Sequence, residues 1–183
     1  MRGGQRIRNQ MIGTIGLRAG LVLVGVLSGT GSWAADELPK ESVLPAALAV
    51  KAAQAAIDFC KKDGYRVSAS VVDRAGVLRT MTRGDGAGPH TVDSSRKKAY
   101  TATSLRRPTG ELAEMVAKTP TLQALRDMND QILLVGGGLP IEMAGEVVGG
   151  IGVGGAPGAH LDDACAQAGL DAIGAAPKVS TTK

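Results

Sequence analysis

The feature that most constrains the fold is a run of glycines near the end of the chain, over residues 136–156. It contains two short apolar segments, residues 139–144 and 146–153, which we predict to be strands separated by a tight turn. Glycines inside a strand leave room for another backbone or a flat ligand to approach closely. Because Gly152 and Gly154 are alternate residues, they face the same side of their strand. We expect that side to pack against a helix or a partner subunit, or to contact a ligand.

Residues 1–34 have the organisation of a secretory signal peptide. Three arginines within the first eight residues supply a basic start, and an apolar run over residues 19–27 follows. Ser32 and Ala34 fit the small-residue pattern of a cleavage site, so cleavage is predicted after Ala34. The apolar run is shorter than the about 20 residues that a transmembrane helix needs. We therefore predict a periplasmic or secreted protein, with an uncleaved membrane anchor as the alternative.

The charge of the chain depends on this leader. The whole chain has 21 Lys and Arg against 17 Asp and Glu; four of the arginines fall in residues 1–34, which contain no acid, so the remainder has 17 of each. The aromatic residues of that remainder are Phe59, Tyr65 and Tyr100. Neither charge nor composition indicates a nucleic-acid partner. A flat ligand would have to rest on aliphatic side chains and glycine backbone.

Apolar periodicity and turn residues predict the order α-β-β-α-α-β-β-β-α for one domain over residues 35–174, followed by a disordered tail over residues 175–183. Hairpins on either side of a helical insert indicate an α/β (α+β) fold, with a five-stranded, largely antiparallel sheet and helices packed on it. The predicted helices are residues 41–62, 91–105, 109–116 and 160–173, with a further helical turn at 121–128. The predicted strands are residues 67–72, 77–82, 132–135, 139–144 and 146–153.

Two cysteines, Cys60 and Cys165, fall in the first and last predicted helices, 105 positions apart. An exported protein can form disulfides, and these helices could lie side by side on one face of the sheet. Two buried thiols acting as small apolar side chains are the alternative. Neither cysteine belongs to a C-x-x-C pair, so no thiol redox site is predicted.

No motif assigns a catalytic function, and we predict no catalytic residue. Gly150-x-Gly152-x-x-Gly155 matches the dinucleotide fingerprint in its letters. Only one helix follows it, however, without the βαβ unit and the acidic residue that this fingerprint requires. No serine lies in a nucleophile elbow, and no H-E-x-x-H pair occurs.

Two histidines, His90 and His160, are the candidate metal ligands. Each stands at the start of a predicted helix, after a loop that contains Gly and Pro. Such a residue is often a surface or helix-end residue, but neutral imidazole is also the commonest metal ligand and binds haem iron. Two histidines alone do not make a closed zinc site. We favour His90, because cations follow it on its helix whereas acidic residues follow His160.

Basic residues near His90 form a candidate anion site. Arg83 stands in a glycine-rich loop, residues 83–87, and Arg96 and Lys98 lie on the helix that follows. Guanidinium and ammonium groups bind carboxylates through charge-assisted hydrogen bonds. The alternatives are a self-satisfied turn for the loop and a solvated face for the helix.

Several segments taken together resemble the GlcG/HbpS family, a haem-binding-protein-like group that also supplies the C-terminal part of PduO-type cobalamin enzymes. The matching stretches are residues 72–76, 83–87, 98–102, 137–141, 145–156 and 162–169. They span nearly all of the chain after the leader, in the family's order. Each stretch is short, and it is the set that is specific.

The resemblance implies a profilin-like domain that assembles into homo-oligomers, with haem or a related tetrapyrrole as the ligand of some members. In this interpretation the candidate iron ligands are His90 and His160. The candidate cofactor contacts are His90, Arg83, Arg96, Lys98, Gly152 and Gly154.

The leading hypothesis is an exported, non-catalytic tetrapyrrole-binding protein without a membrane anchor after cleavage. One alternative is an enzyme or accessory factor acting on a small carboxylate, with His90 as acid or base and Arg83 as the anion anchor. A second alternative is a purely structural subunit of an oligomer.

Overall fold

The computed structural model of the protein describes residues 40–175, so the predicted signal peptide, and the predicted tail beyond Ala175, lie outside the described residues. The elements in chain order are α1 (Ala46–Lys62), β1 (Ser68–Asp73), β2 (Leu78–Arg83), α2 (His90–Leu105), α3 (Thr109–Lys118), a 3-10 helix (Pro120–Asp127), β3 (Gly138–Met143), β4 (Glu146–Gly154) and α4 (Ala159–Ala172). Within residues 40–175, no helix has both the length and the apolar character needed to cross a membrane.

The four strands form one antiparallel sheet in the order β2-β1-β4-β3. β1–β2 and β3–β4 are the two predicted hairpins, and pairing of β1 with β4 joins them across the helical insert. The first hairpin turns at Asp73, whose carboxylate accepts hydrogen bonds of 3.0 Å from the backbone N–H groups of Ala75 and Val77. Such side-chain caps are a common reason for Asp in turns.

The prediction of five strands is wrong, because residues 132–135 do not form a strand. The apolar alternation that suggested one is real, since Ile132 and Leu134 are both buried. They pack against α3, however, and not within the sheet. Leu133 donates its backbone N–H to the hydroxyl of Thr101 on α2 at 2.8 Å. An extended segment with side-chain partners therefore replaces the predicted strand, and the profilin-like classification stays a prediction.

Helices cover both faces of the sheet. α1 and α4 pack side by side against one face, and their interface with the sheet forms the main aliphatic core. α2 lies on the other face, over β1, β4 and β3. Cys60 of α1 and Cys165 of α4 form a buried disulfide with their Cα atoms 5.6 Å apart, which confirms the predicted bridge.

The glycines of β4 make room for α2. A Cβ atom at Gly152 would overlap the carbonyl oxygen of Ser95 and lie 2.5 Å from the backbone nitrogen of Ala99. A Cβ atom at Gly154 would lie 2.7 Å from the hydroxyl of Ser94. The prediction that this side of the strand packs against a helix is confirmed. α2 covers both glycines, an arrangement that does not favour the predicted contact with a cofactor.

Candidate functional site

Both candidate ligand histidines lie at the same end of the sheet. The strand register pairs Ser68, at the start of β1, with Arg83 at the end of β2 and with Gly154 at the end of β4. The connections to α2 and α4 leave from these strand ends, so both helices begin there, on opposite faces. His90 is the first residue of α2, His160 is the second residue of α4, and both are exposed.

The residue after His90 holds the start of α2 in place. Thr91 is buried, and its hydroxyl shares a hydrogen bond of 2.7 Å with the hydroxyl of Ser68 and donates to the carbonyl oxygen of Gly88 at 2.6 Å. The imidazole of His90 folds over Gly88, where a Cβ atom would lie 2.6 Å from the ring carbon Cε1. Among residues 40–175, no hydrogen bond or ion pair engages this imidazole. His90 therefore presents a ring nitrogen that is free to bind a metal, at a helix start that Thr91 holds in place.

The same local arrangement recurs at His160, but in an acidic setting. The His160 imidazole folds over Gly158, where a Cβ atom would lie 2.8 Å from Cε1. Asp163 follows within one turn, and burial raises the pKa of its carboxyl above the ordinary 3.8. The backbone N–H of Gly137, which donates to this carboxylate at 2.5 Å, opposes that rise. Carboxylates here would repel a ligand that carries acid groups, so His160 is the weaker candidate.

No multidentate metal site is present in the described part of the chain. Residues 40–175 contain no group of three or more His, Cys, Asp or Glu side chains placed to hold a metal ion. An iron held by one protein ligand within a larger organic group is compatible with this, whereas a structural zinc site is not.

Arg83 fixes the loop that leads from β2 to His90. Its guanidinium donates to the carbonyl oxygen of Ala87 from Nε at 2.8 Å and from Nη2 at 2.5 Å. A groove of about 470 Å³ runs beside this loop, between α1 and the adjoining ends of β1 and β2. Arg83 lines the groove together with Arg66, which the sequence did not single out.

The basic cluster on α2 consists of charges that are already paired. Lys97 and Arg96 each lie 3.1 Å from the carboxylate of Asp93, one turn earlier. The hydrogen bond from Lys97 holds the pKa of Asp93 below 3.8; burial opposes this shift, and the hydrogen bond from Arg96 adds to it. Arg96 also donates to the side-chain oxygen of Gln131. The predicted alternative of a solvated helix face describes Arg96 and Lys97 better than a cofactor contact does.

Lys98 has a different role from the predicted one. Its ammonium lies 2.7 Å from a carboxylate oxygen of Asp162 and donates to the carbonyl oxygen of Val153 at 2.9 Å. The other oxygen of Asp162 accepts the backbone N–H of Ala156 at 3.0 Å. The Lys98 side chain is only 5% exposed and joins α2 to α4. This pairing leaves Lys98 unavailable to an external carboxylate, so the structure does not favour the predicted contact with a cofactor.

The sequence contained a signal for the burial of Lys98 but none for Arg66. Lys98 follows the buried Ser95 by three residues and precedes the buried Ala102 by four, which places it on the buried face of α2. Arg66 stands alone in the connection before β1. Only the hairpin and the position of α1 bring it beside Arg83.

Comparison with known proteins assigns the family. Residues 44–171 match the family described as "Haem degrading protein HbpS-like". The chain belongs to this HbpS-like family. An uncharacterized 15.0 kDa protein from the dhaT-dhaS intergenic region of Citrobacter freundii is 38% identical over 126 residues, which cover 68% of this chain and 88% of that protein. Protein GlcG of Escherichia coli strain K12 is 31% identical over 93 residues, covering 51% of this chain and 67% of GlcG.

Solved structures of HbpS-like proteins share the fold. The crystal structure of HbpS is similar with a TM-score of 0.69 and 44% identity, covering 74% of this chain and 93% of that chain. The crystal structure of a PduOC–haem complex is similar with a TM-score of 0.68 and 25% identity, covering 74% of this chain and 99% of that chain. The resemblance to the GlcG/HbpS family is therefore confirmed.

Proposed function

We propose that this HbpS-like protein binds haem or a related tetrapyrrole, with His90 as the ligand of the iron. The observation that carries the proposal is the free, exposed imidazole of His90 in a chain whose relatives include a protein crystallised with haem. Neutral imidazole is a common axial ligand of haem iron.

The residues around His90 fit a haem group. The imidazole lies exposed at the surface beside a glycine-containing loop, which leaves it accessible to a flat ring. Cationic side chains lie along the adjoining groove. Bound haem would supply an iron that an imidazole can coordinate and two acidic side groups. The protein would supply the nitrogen donor and the charges that orient the ring.

Binding without turnover is the form of the proposal that the site favours. Among residues 40–175, no carboxylate is hydrogen-bonded to His90 to orient its imidazole for acid–base chemistry. Because the family description names haem degradation, degradation is the second candidate function. A Soret band that persists after addition of ascorbate or hydrogen peroxide supports binding. Steady loss of the band, absent from a protein-free hemin control, supports degradation.

We also propose that the protein is exported and forms homo-oligomers. The sequence of residues 1–34 supports export, and the buried disulfide fits an oxidising compartment. Val77 and Leu78, at the edge strand β2, are 60% and 45% exposed, which supports self-association through that edge. Mass spectrometry of the exported protein should show a chain that begins at residue 35. Light scattering should show a mass well above one chain, whereas a monomer at micromolar concentration would contradict self-association.

The test of haem binding is a spectroscopic titration of the purified wild-type protein with hemin. We expect a sharp Soret band that saturates at a fixed ratio of hemin to protein chains. A broad spectrum equal to that of free hemin at every protein concentration would contradict the proposal.

A further inference from the structure

The groove beside the 83–87 loop combines an apolar wall with cationic sides. Ile57 and Lys61, one turn apart on α1, form one side of it, and Arg83 at the end of β2 forms the other. Val67 and Arg66, just before β1, line the groove between them. Its volume of about 470 Å³ falls in the range of small-molecule sites.

Arg66 is the arginine of the groove with its hydrogen-bonding capacity unused, and Lys61 also has no ion pair within residues 40–175. Arg66 is exposed, and its guanidinium has no hydrogen bond or ion pair within residues 40–175. Its stem lies against Gly86, where a Cβ atom would be 2.9 Å from Arg66 Cδ and 3.3 Å from Nε. Gly86 has a φ of +75° and no side chain, so it lets this stem lie against the loop. A guanidinium offers five N–H donors in a plane that matches a carboxylate.

The charges that line the groove favour an anion. Lys61, Arg66 and Arg83 face two carboxylates, those of Asp58 and Asp85. The Asp58 carboxylate already accepts a hydrogen bond of 2.9 Å from a side chain of its own helix. Arg83 uses two N–H groups on the backbone of the loop and keeps its others. Three cations therefore stand against two carboxylates, and this excess of positive charge favours an anion.

The groove is close enough to His90 to serve the same ligand. Arg83 is bonded to Ala87, three residues before His90, so the Cα atoms of Ala87 and His90 are at most about 11 Å apart. The hydrogen bond from Thr91 N–H to the carbonyl oxygen of Gly88, at 3.0 Å, folds this segment further. A tetrapyrrole holds its metal at the centre of an apolar ring and its acid groups at one edge. A ring centred at His90 can therefore reach the groove with that edge.

We infer that this groove is the carboxylate-binding part of the ligand site, with Arg66 and Arg83 contacting the acid groups and Ile57 contacting the apolar edge of the ring. The inference rests on the proposed function, and it adds Arg66 as a residue that selects acidic tetrapyrroles over neutral ones.

The test compares porphyrins with and without free acid groups. Wild type, Arg66→Ala and Arg79→Ala are titrated with metal-free protoporphyrin IX, with its dimethyl ester and with hemin. Arg79→Ala is the matched control, because Arg79 is an exposed arginine of the same strand as Arg83 and does not line the groove. We expect wild type and Arg79→Ala to bind the diacid about tenfold more tightly than the diester. A hydrogen bond between charged groups contributes enough free energy to change the dissociation constant by about that factor. Arg66→Ala should lose most of this preference.

The outcomes separate the groove from the iron ligand. Equal affinity of the wild type for diacid and diester, or an unchanged preference in Arg66→Ala, overturns the groove assignment and leaves haem binding at His90 standing. Selective, Arg66-dependent binding of the diacid without a Soret shift for hemin supports the groove and overturns the role of His90. If no porphyrin binds, both are overturned.

Discussion

The start and the middle of α2 each carry a nitrogen-containing side chain, but the two side chains differ in what surrounds them. At the start, His90 is exposed and its imidazole has no partner within residues 40–175. In the middle, Lys98 is buried and paired with Asp162, and the glycines of β4 press against the helix backbone. The difference follows from what lies opposite each part of the helix. Groups that face the sheet and α4 hold the fold together, whereas His90, beyond the strand ends, stays accessible to a ligand.

Removal of the buried cation should produce the largest effect. Lys98→Met leaves the Asp162 carboxylate buried without its ion-pair partner, so we expect a loss of about 3–5 kcal/mol in the free energy of unfolding. Lys97→Met is the matched control, because Lys97 forms a more exposed ion pair with Asp93 on the same helix. We expect that change to cost less than about 1 kcal/mol. Urea unfolding of both variants measures the difference in the free energy of unfolding. Equal losses in the two variants would contradict the distinction between the buried and the solvent-exposed ion pair.

A side chain at the helix–strand contact should have the next largest effect. Gly152→Val places atoms where the Ser95 carbonyl oxygen and the Ala99 nitrogen already lie. Because both are backbone atoms, α2 must move away from β4, and we expect a loss of about 1–3 kcal/mol or more. Glu146→Val, at the exposed end of the same strand, should change the melting temperature little. A Gly152→Val variant with the wild-type melting temperature would show that α2 does not pack this closely.

The pH dependence of stability should show a smaller effect at Asp163. Burial raises the pKa of this carboxyl above 3.8, so the folded protein binds its proton more readily than the unfolded chain does. Stability therefore falls as the pH rises from the ordinary pKa through the raised one, and the ionised group is unfavourable at neutral pH. Asp163→Asn keeps an oxygen acceptor for Gly137 and should raise the melting temperature at pH 7. It should have no effect at a pH below the pKa values of Asp163 in both the folded and the unfolded protein. The gain is small because the carboxylate is partly solvated.

Asp93 provides a control, because its pKa is shifted in the direction opposite to that of Asp163. The hydrogen bonds from Lys97 and Arg96 hold its pKa below 3.8 in the folded protein, so it contributes stability at neutral pH that is lost as the pH falls through the lowered value. Asp93→Asn should therefore slightly lower the melting temperature at pH 7 and leave it unchanged in acid. If Asp93→Asn and Asp163→Asn shift the melting temperature at pH 7 in the same direction, the assignment of Asp163 as a buried carboxyl and Asp93 as an ion-paired one is contradicted.

Local patterns predicted most of the fold, because they depend on neighbours in the sequence. The helices, both hairpins and the packing of a helix on Gly152 follow from periodicity, turn residues and spacing, and the structure shows which of the two alternatives holds for Cys60 and Cys165. The predicted strand over residues 132–135 failed because alternating apolar residues bury equally well against a helix. Apolar periodicity predicts that side chains are buried, but it does not predict which element they pack against.

The site was harder to predict than the fold, because it depends on contacts between distant residues. His90 and Arg83 could be chosen from their loop, but Arg66 reaches the groove only through the packing of α1 beside the first hairpin. Lys98 was misplaced because residue type was given more weight than its position on the buried face of α2. A charged residue that falls at the spacing of the buried residues of a helix is better interpreted, first of all, as the partner of another buried charge.

The most direct test of the central claim, that the free imidazole at the start of α2 binds haem iron, is the Soret spectrum of the His90→Ala and His160→Ala variants during titration with hemin. Both histidines are exposed, each lies in the first turn of its helix, and each imidazole folds over the glycine two residues earlier, so His160→Ala controls for the loss of a helix-end imidazole. We predict that His90→Ala abolishes or strongly shifts the Soret band, while His160→Ala retains the wild-type position. A His90→Ala spectrum identical to that of the wild type would contradict the claim.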